Sequence, residues 1–169
     1  MLRIINDLSP FFEDCYRRVN VREYARITGI SPPTSSKMLN SYSKEGLLLK
    51  VKYRNNLLFY ANKDSKVFID LSRIYWRQKL KGLTAYIEEH LMSPAIVLFG
   101  SLSKAEAKND SDIDLAIFAS ERKLDIKSFE NKLKRKIQIY WFETLAKAKS
   151  RELASNIANG YVLSGRLRI

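Results

Sequence analysis

The chain has 169 residues, enough for one domain or two small ones, and 46% of them are hydrophobic, which suffices for ordinary buried cores. Its 30 Lys and Arg against 18 Asp and Glu give a formal net charge of +12, so we expect polyanionic partners. No apolar run approaches the ~20 residues of a membrane span and no signal-peptide pattern is present, which predicts a cytoplasmic protein without membrane contact. Cys15 is the only cysteine, so an intrachain disulfide and a thiolate metal cluster are excluded.

Residues 1–64 predict a compact unit that begins with helical segments. Asn20 is a good N-cap for a helix over residues 21–27, which a glycine ends. Ser31-Pro32 then begins a second helix, which runs to about Glu45 and is closed by Gly46. The pattern is that of a helix, a turn and a helix.

A basic hairpin follows the second helix. Residues 47–53 alternate in character and residues 57–62 return as a partner strand, with Asn55-Asn56 as the turn. One side of the first strand is apolar, and the other side carries or leads to Lys50, Lys52 and Arg54.

Two helices followed by a basic hairpin resemble a winged helix-turn-helix domain. The resemblance implies that the second helix lies in the major groove of duplex DNA and that the wing contacts the adjacent backbone. The side chains expected at DNA are Thr34, Ser36, Lys37 and Asn40 on the helix and Lys50, Lys52 and Arg54 on the wing. A winged helix that contacts only protein is the alternative, and a homodimer stays open because such domains often dimerise.

Residues 65–92 predict a helical connector of two helices with a break at Lys81-Gly82. His90, the only histidine, lies on an apolar stripe, and we interpret it as a half-buried side chain rather than a metal ligand. Tyr75-Trp76 is interpreted as core packing rather than as a base-stacking pair.

The segment after the connector carries the most specific pattern in the chain. Residues 95–99 form an apolar run that predicts a buried strand, and Gly100 supplies a tight turn. A helix beginning at Ser101 is expected to point free N–H groups at a phosphate.

A pair of carboxylates begins the next predicted strand. Asp112 and Asp114 share one face of that strand because side chains alternate. Two carboxylates held this close repel each other unless a cation lies between them, and hard oxygen ligands favour Mg²⁺ or Mn²⁺.

Gly-Ser, a ten-residue gap and Asp-x-Asp between apolar strands resemble the minimal nucleotidyltransferases of the DNA polymerase β superfamily. Residues 156–165 look like the closing helix and final strand of such domains, so the resemblance covers roughly residues 93–169. It implies that Gly100 and Ser101 hold a nucleoside triphosphate, with ATP favoured, while Asp112 and Asp114 are the metal ligands and catalytic residues. The fold expected for the whole chain is α+β: a winged helix over 1–64, a connector over 65–92 and a small mixed sheet with helices over 93–169.

Two departures from the family pattern bear on catalysis. Lys104-Ala105-Glu106 stands where the family often has Arg-Gly-Glu. The family's third carboxylate lies on a later strand, and the matching position in residues 136–142 holds Gln138, with Glu143 as the rival acid. A neutral amide neither accepts a nucleophile's proton nor brings charge to a metal.

Three functions therefore stay open. The first is Mg²⁺-dependent transfer to an acceptor, which is a protein in those relatives that modify a tyrosine of a partner toxin and a small molecule such as an aminoglycoside in others. The second is a transcriptional regulator whose nucleotidyltransferase domain binds nucleotide without turnover. The third is an antitoxin that acts by binding alone.

Overall fold

The computed structural model describes residues 2–167, and the chain forms two compact units. The first unit comprises the chain up to Tyr75 together with residues 105–109, and the second comprises residues 76–104 and the chain from Asp110 onward. None of the helices in the described part of the chain has the length and apolar character needed to cross a bilayer. The fold is α+β, as expected.

The first unit is built from helices and one hairpin. Its elements are α1 (Arg3–Glu13), α2 (Val21–Thr28), α3 (Pro32–Lys44), β1 (Leu48–Tyr53), β2 (Asn56–Ala61) and most of α4 (Lys66–Lys79). The strands β1 and β2 pair antiparallel, with Leu48 opposite Ala61 and Tyr53 opposite Asn56. The predicted helix, turn, helix and hairpin are all present.

Side-chain caps fix where α2 and α3 begin. The Asn20 side chain accepts the Glu23 N–H at 2.9 Å, and the Ser31 hydroxyl accepts the Thr34 N–H at 3.4 Å. Gly29, at φ 72°, ends α2 in the left-handed conformation that glycine adopts readily. The predicted helix boundaries are correct to within a residue or two.

Buried aromatic and aliphatic side chains form the core of the first unit. The fully buried members include Ile5, Leu8, Phe11, Phe12, Tyr24, Leu39, Phe59 and Phe68. Two tyrosines converge on Asp7: Tyr24 donates its hydroxyl to the Asp7 carbonyl at 2.8 Å, and Tyr42 donates to the carboxylate at 2.7 Å. Burial raises the pKa of both phenols, so both stay neutral donors. Leu39 and Tyr42 thus turn towards the core of this unit, as predicted.

The second unit surrounds a four-stranded mixed sheet. Its elements are α5 (Lys81–His90), β3 (Ala95–Phe99), β4 (Ile113–Phe118), α6 (Lys127–Leu133), β5 (Ile137–Phe142), a 3₁₀ turn (Leu145–Lys147), α7 (Arg151–Ala158) and β6 (Tyr161–Ser164). The strand order is β5-β4-β3-β6, in which β4 and β5 are parallel and the other pairs antiparallel. One face of this sheet packs Val97, Phe99 and Ala116 against Ile157 of α7.

Several sequence predictions for this unit need correction. The helix predicted from Ser101 is wrong, because residues 101–105 form turns. The connector helices break at Leu80, one residue before the predicted position, and the closing helix begins earlier than expected, at Arg151. The helix α6 was not predicted; it has only seven residues and no side-chain N-cap, so it lacks the signals that mark a helix in a sequence.

Gly160 allows the chain after α7 to approach β3 closely. A Cβ at this position would lie 2.7 Å from the Leu98 carbonyl oxygen and 2.7 Å from Val97 Cγ1. We expect Gly160→Ala to destabilise the protein by about 1–3 kcal/mol through overpacking, measured by denaturant unfolding. Gly82→Ala is the matched control: its Cβ would meet Phe129 at an ordinary 3.8 Å, so a gain of about 0.5–1 kcal/mol is expected. Equal effects of the two changes would contradict the close approach.

Candidate active site

The Gly-Ser turn and the two aspartates meet at one end of the mixed sheet. Phe99, the last residue of β3, lies opposite Asp114 of β4 in the antiparallel register, so Gly100 follows directly beside that aspartate. A Cβ on Gly100 would lie 2.3 Å from Asp114 Oδ2. A side chain at position 100 would therefore displace the Asp114 carboxylate from where it stands.

The turn after β3 is compact and internally hydrogen-bonded. Gly100 has φ 72°, the Ser103 hydroxyl donates to the Gly100 carbonyl at 2.9 Å, and the Lys104 N–H donates to the Ser101 carbonyl at 3.3 Å. Ser101 is half-buried at the start of this turn. The backbone N–H groups here belong to turns and not to a helix N-terminus, so the expected helix-dipole contribution does not apply.

The two aspartates are electrostatically unfavourable as they stand. Burial, and then the charge of Asp112, raise the pKa of Asp114 above its usual range. A cation between the carboxylates would remove this repulsion, and protonation competes with cation binding from a higher pH than for an ordinary aspartate. The pair therefore has the chemistry of a site for a hard divalent metal.

Gln138 lies beside the aspartates. It is paired with Asp114 in the parallel register of β4 and β5, and its Nε2 donates to Asp112 Oδ2 at 2.6 Å. The Tyr140 hydroxyl donates to Gln138 Oε1 at 2.8 Å. Because a carboxylate only accepts, the amide is held with its nitrogen towards Asp112. The strand position predicted for Gln138 is thus confirmed.

The alternative prediction, that Glu143 supplies the third acid, is wrong because this residue lies far from the two aspartates. It follows the far end of β5, five residues or roughly 16 Å along the strand from Gln138. Its side chain is exposed and ion-paired with Lys147, which holds the pKa of the Glu143 carboxyl below its usual range.

Arg135 stabilises the segment that leads into Asp112, and this residue was not predicted. It is only 6% exposed, donates to the Ser111 carbonyl at 2.6 Å, and lies over the Trp76 ring at 5.2 Å. It thereby fixes the residue before Asp112. Strand alternation could not have signalled it, because Leu133 is the last residue of α6 and Lys134 has φ 54°, so Arg135 lies in an irregular segment before β5.

Ala105 preserves a conformation that suits glycine. Ala105 has φ 55° and is fully buried. It stands at the position where the nucleotidyltransferase family that the chain resembles often has glycine. Its neighbour Lys104 is exposed and donates to the Asn156 side chain at 2.8 Å. The left-handed alanine costs roughly 1–2 kcal/mol, which the surrounding packing must offset.

The remaining predicted residues lie elsewhere. On α3, Thr34, Lys37 and Asn40 are exposed and Ser36 is half-buried; on the hairpin, Lys50, Lys52 and Arg54 are exposed. His90 is exposed rather than half-buried; its Nδ1 is hydrogen-bonded to the Tyr86 carbonyl at 2.8 Å, and its ring is tilted by 41° against that of Tyr86. Cys15 and the Tyr75-Trp76 pair are buried, as predicted, and burial raises the pKa of the Cys15 thiol to about 11.

Two further observations delimit the site. Among residues 2–167, no group of three or more His, Cys, Asp or Glu side chains is placed to hold a metal ion. A cavity of 1040 Å³ lies at the opposite end of the sheet, beside Ala95, Phe118 and Glu143. That cavity is separate from the carboxylates.

Comparison with known proteins identifies the family to which the chain belongs. The family model for Polymerase beta, Nucleotidyltransferase matches residues 81–165, which span the Gly-Ser turn, both aspartates and the whole mixed sheet. The chain therefore belongs to this nucleotidyltransferase family. Such domains generally act on nucleoside triphosphates with divalent metals. No match to a curated protein was found.

The contact between Gly100 and Asp114 generates a prediction. Gly100→Ala should displace the Asp114 carboxylate and reduce Mn²⁺ affinity by about tenfold or more, measured by electron paramagnetic resonance titration, because a metal site requires ligands placed within ~0.2 Å. Gly29→Ala has the same backbone strain, at φ 72°, but its Cβ would meet nothing within 4 Å. It should leave Mn²⁺ affinity unchanged. Equal losses in both variants would mean that strain, not the carboxylate contact, is responsible.

Proposed function

We propose that this protein binds a nucleoside triphosphate together with Mg²⁺ at the Gly100–Asp114 site and transfers nucleotide slowly or not at all. The observation that carries this proposal is the Gln138 amide, which donates to Asp112 at 2.6 Å where the family has its third carboxylate. ATP is the favoured nucleotide. The proposed output is nucleotide-dependent regulation rather than rapid turnover.

The roles of the residues follow from their chemistry. The turn that begins at Gly100 offers backbone N–H groups and the Ser101 hydroxyl to phosphate oxygens. Asp112 and Asp114 would hold Mg²⁺, which when bound neutralises charge on the triphosphate. Arg135 keeps Ser111, and hence the start of the Asp-x-Asp segment, in place.

The Gln138 amide limits what the site does after binding. It brings no charge for a second metal, and it does not take a proton from an attacking hydroxyl. The amide nitrogen also donates a hydrogen bond to one oxygen of Asp112. That oxygen must give up this bond, or share it, before it can bind a metal. Binding and transfer are therefore separable properties in this chain.

A substitution series at Gln138 tests this separation. With a non-hydrolysable triphosphate, the wild type should bind one Mn²⁺ per chain, whereas Gln138→Glu, which has the same shape, and Gln138→Asp should bind a second. A second metal and a general base each raise the rate by orders of magnitude. In a separate assay with a labelled, hydrolysable triphosphate, at least one of these variants should therefore release pyrophosphate faster than the wild type. Metal stoichiometry is measured by paramagnetic resonance and needs no acceptor.

Two controls sharpen that series. Tyr140→Phe removes the other hydrogen bond of Gln138 without adding charge and should keep one Mn²⁺. Asp112→Asn combined with Asp114→Asn should abolish metal-dependent triphosphate binding. Two Mn²⁺ in the wild type with rapid turnover would refute the proposal, as would unchanged binding in the double variant.

We further propose that the first unit is a winged helix that binds duplex DNA. Support comes from α3, where Thr34, Lys37 and Asn40 are exposed while Leu39 of the same helix is buried. The exposed Lys50, Lys52 and Arg54 of the hairpin add positive charge. A regulator that binds both DNA and nucleotide is the arrangement that these features favour.

Salt dependence tests the DNA proposal. If about four to six phosphates are neutralised per protomer, log affinity should fall against log salt with a slope of about −4 to −5. Lys50→Ala with Arg54→Ala should reduce the slope by nearly 2, because two phosphate contacts are lost. Lys123→Ala with Lys127→Ala removes the same charge from exposed positions of the second unit and should leave the slope unchanged. Equal effects of the two pairs would favour a unit that contacts only protein.

A further inference from the structure

We propose that the first unit holds a second ligand site, beside Tyr16, which binds one unpaired nucleotide through its base and its phosphate. The site is a cavity of 290 Å³ lined by Tyr16, Tyr60, Arg18 and Lys63, with Cys15 and Leu49 among its apolar walls. Its residues are distinct from those expected at duplex DNA and from the metal site. The inference therefore stands or falls independently of the proposed function.

Local structure explains why the two tyrosines present their rings here. Tyr16 lies in the turn after α1, where its N–H donates to the Asp14 carboxylate at 3.0 Å and the preceding Cys15 N–H donates to the Ala107 carbonyl at 2.8 Å. Tyr60 of β2 lies opposite Leu49 of β1, on the face of the hairpin away from Phe59. Tyr16 is 49% exposed, so its ring is accessible to a ligand.

Three cations are arranged around these rings. Lys63 Nζ lies 3.9 Å from the centroid of the Tyr16 ring, Lys108 Nζ lies 5.6 Å from it, and the Arg18 guanidinium carbon lies 5.3 Å from the centroid of Tyr60. Attraction to the ring faces restrains these long side chains. Less ordering entropy is then lost when an anion binds. Asp64 lines the cavity, and the charges of Asp14 and Glu106 act on the Cys15 thiol in its wall, so a phosphate would be held by direct contact with the cations rather than by an excess of positive charge.

The chemistry of the cavity selects its occupant. Aromatic rings and apolar walls favour a flat, apolar body, and the surrounding cations favour a phosphate; an unpaired nucleotide combines the two. A base inside a duplex is stacked and does not reach such a ring. The volume lies at the lower end of ligand pockets, about 300 Å³, which suits a single nucleotide. The source is either a nucleotide within a single strand or a free mononucleotide.

The test uses the full chain and a fluorescein-labelled octathymidylate, followed by fluorescence anisotropy in EDTA so that the metal site does not contribute. Tyr16→Ala should weaken binding by about fivefold or more, because a stacked base contributes roughly 1–3 kcal/mol. Tyr16→Phe keeps the ring and should bind as the wild type does. Tyr53→Ala is the matched control: Tyr53 is 56% exposed and has Arg54 beside its ring at 5.5 Å, but it lies outside the cavity.

Further arms separate the ligand sources and the trivial explanations. Displacement of the probe by thymidine monophosphate at similar concentration identifies a free nucleotide, and displacement only by the oligomer identifies a single strand; both outcomes support the site. An abasic oligomer that binds as tightly as the octathymidylate would overturn the proposal, because charge alone would then explain the affinity. Equal losses in Tyr16→Ala and Tyr53→Ala would overturn it too. If Tyr16→Ala fails to fold, the double variant Lys63→Ala with Arg18→Ala is tested instead. It should bind the octathymidylate more weakly than the wild type does, and equal affinity would overturn the proposal.

Discussion

The approach of Gly100 to Asp114 is the constraint on which the site depends. Because no Cβ separates the turn from the carboxylate, the backbone of the turn and the carboxylate oxygens occupy one small region at the end of the sheet. The antiparallel register of β3 and β4 produces this approach, and the buried apolar strands on either side keep that register fixed. Burial, and then the negative charge of Asp112, raise the pKa of Asp114 and make the bare carboxylate pair unfavourable.

Gln138 alters this balance in an informative way. A third carboxylate at the same position would add repulsion to a site that already contains an aspartate pair, whereas the amide donates to Asp112 and accepts from Tyr140. One of these hydrogen bonds involves a charged group and contributes about 1.5–3 kcal/mol, while the bond from Tyr140 joins neutral groups and contributes about 0.5–1.5 kcal/mol. On the function proposed above, what the site lacks is the charge and the base that a third carboxylate would supply for transfer. This is the exchange between stability and activity that active sites commonly show.

Local signals in the sequence predicted much of the fold. The apolar run of β3, the alternation of β4 and the caps at Asn20 and Ser31 are each readable from residue types and spacing. The resemblance to the family placed Asp114 and Gln138 on neighbouring strands, and Asp112 lies directly before the first of them. The predictions from local signals were correct because burial of alternate side chains and satisfaction of helix ends depend on few residues.

Features that depend on distant contacts escaped prediction. The turns after Gly100 replace a helix, and Ala105 at φ 55° shows that the backbone leaves helical geometry within five residues, although alanine itself favours a helix. Arg135 donates to the carbonyl of Ser111, which lies 24 residues earlier in the chain, and no local pattern in the sequence indicates that contact. The short helix α6 depends on packing, since it carries no cap.

The net charge of +12 gives the two aspartates an unusual setting. A triphosphate is repelled by bare carboxylates, yet the field of a strongly basic chain attracts it and raises its local concentration. Salt screens this long-range attraction over about 10 Å at 0.1 M, while the metal and backbone contacts at the site act at close range and are screened far less. Ionic strength should therefore act mainly on how fast a nucleotide arrives, and the Gly100–Asp114 geometry on how long it stays. The rate of arrival depends on the overall charge, which composition alone determines. The residence time depends on the register of β3 and β4, which sets the Gly100–Asp114 geometry.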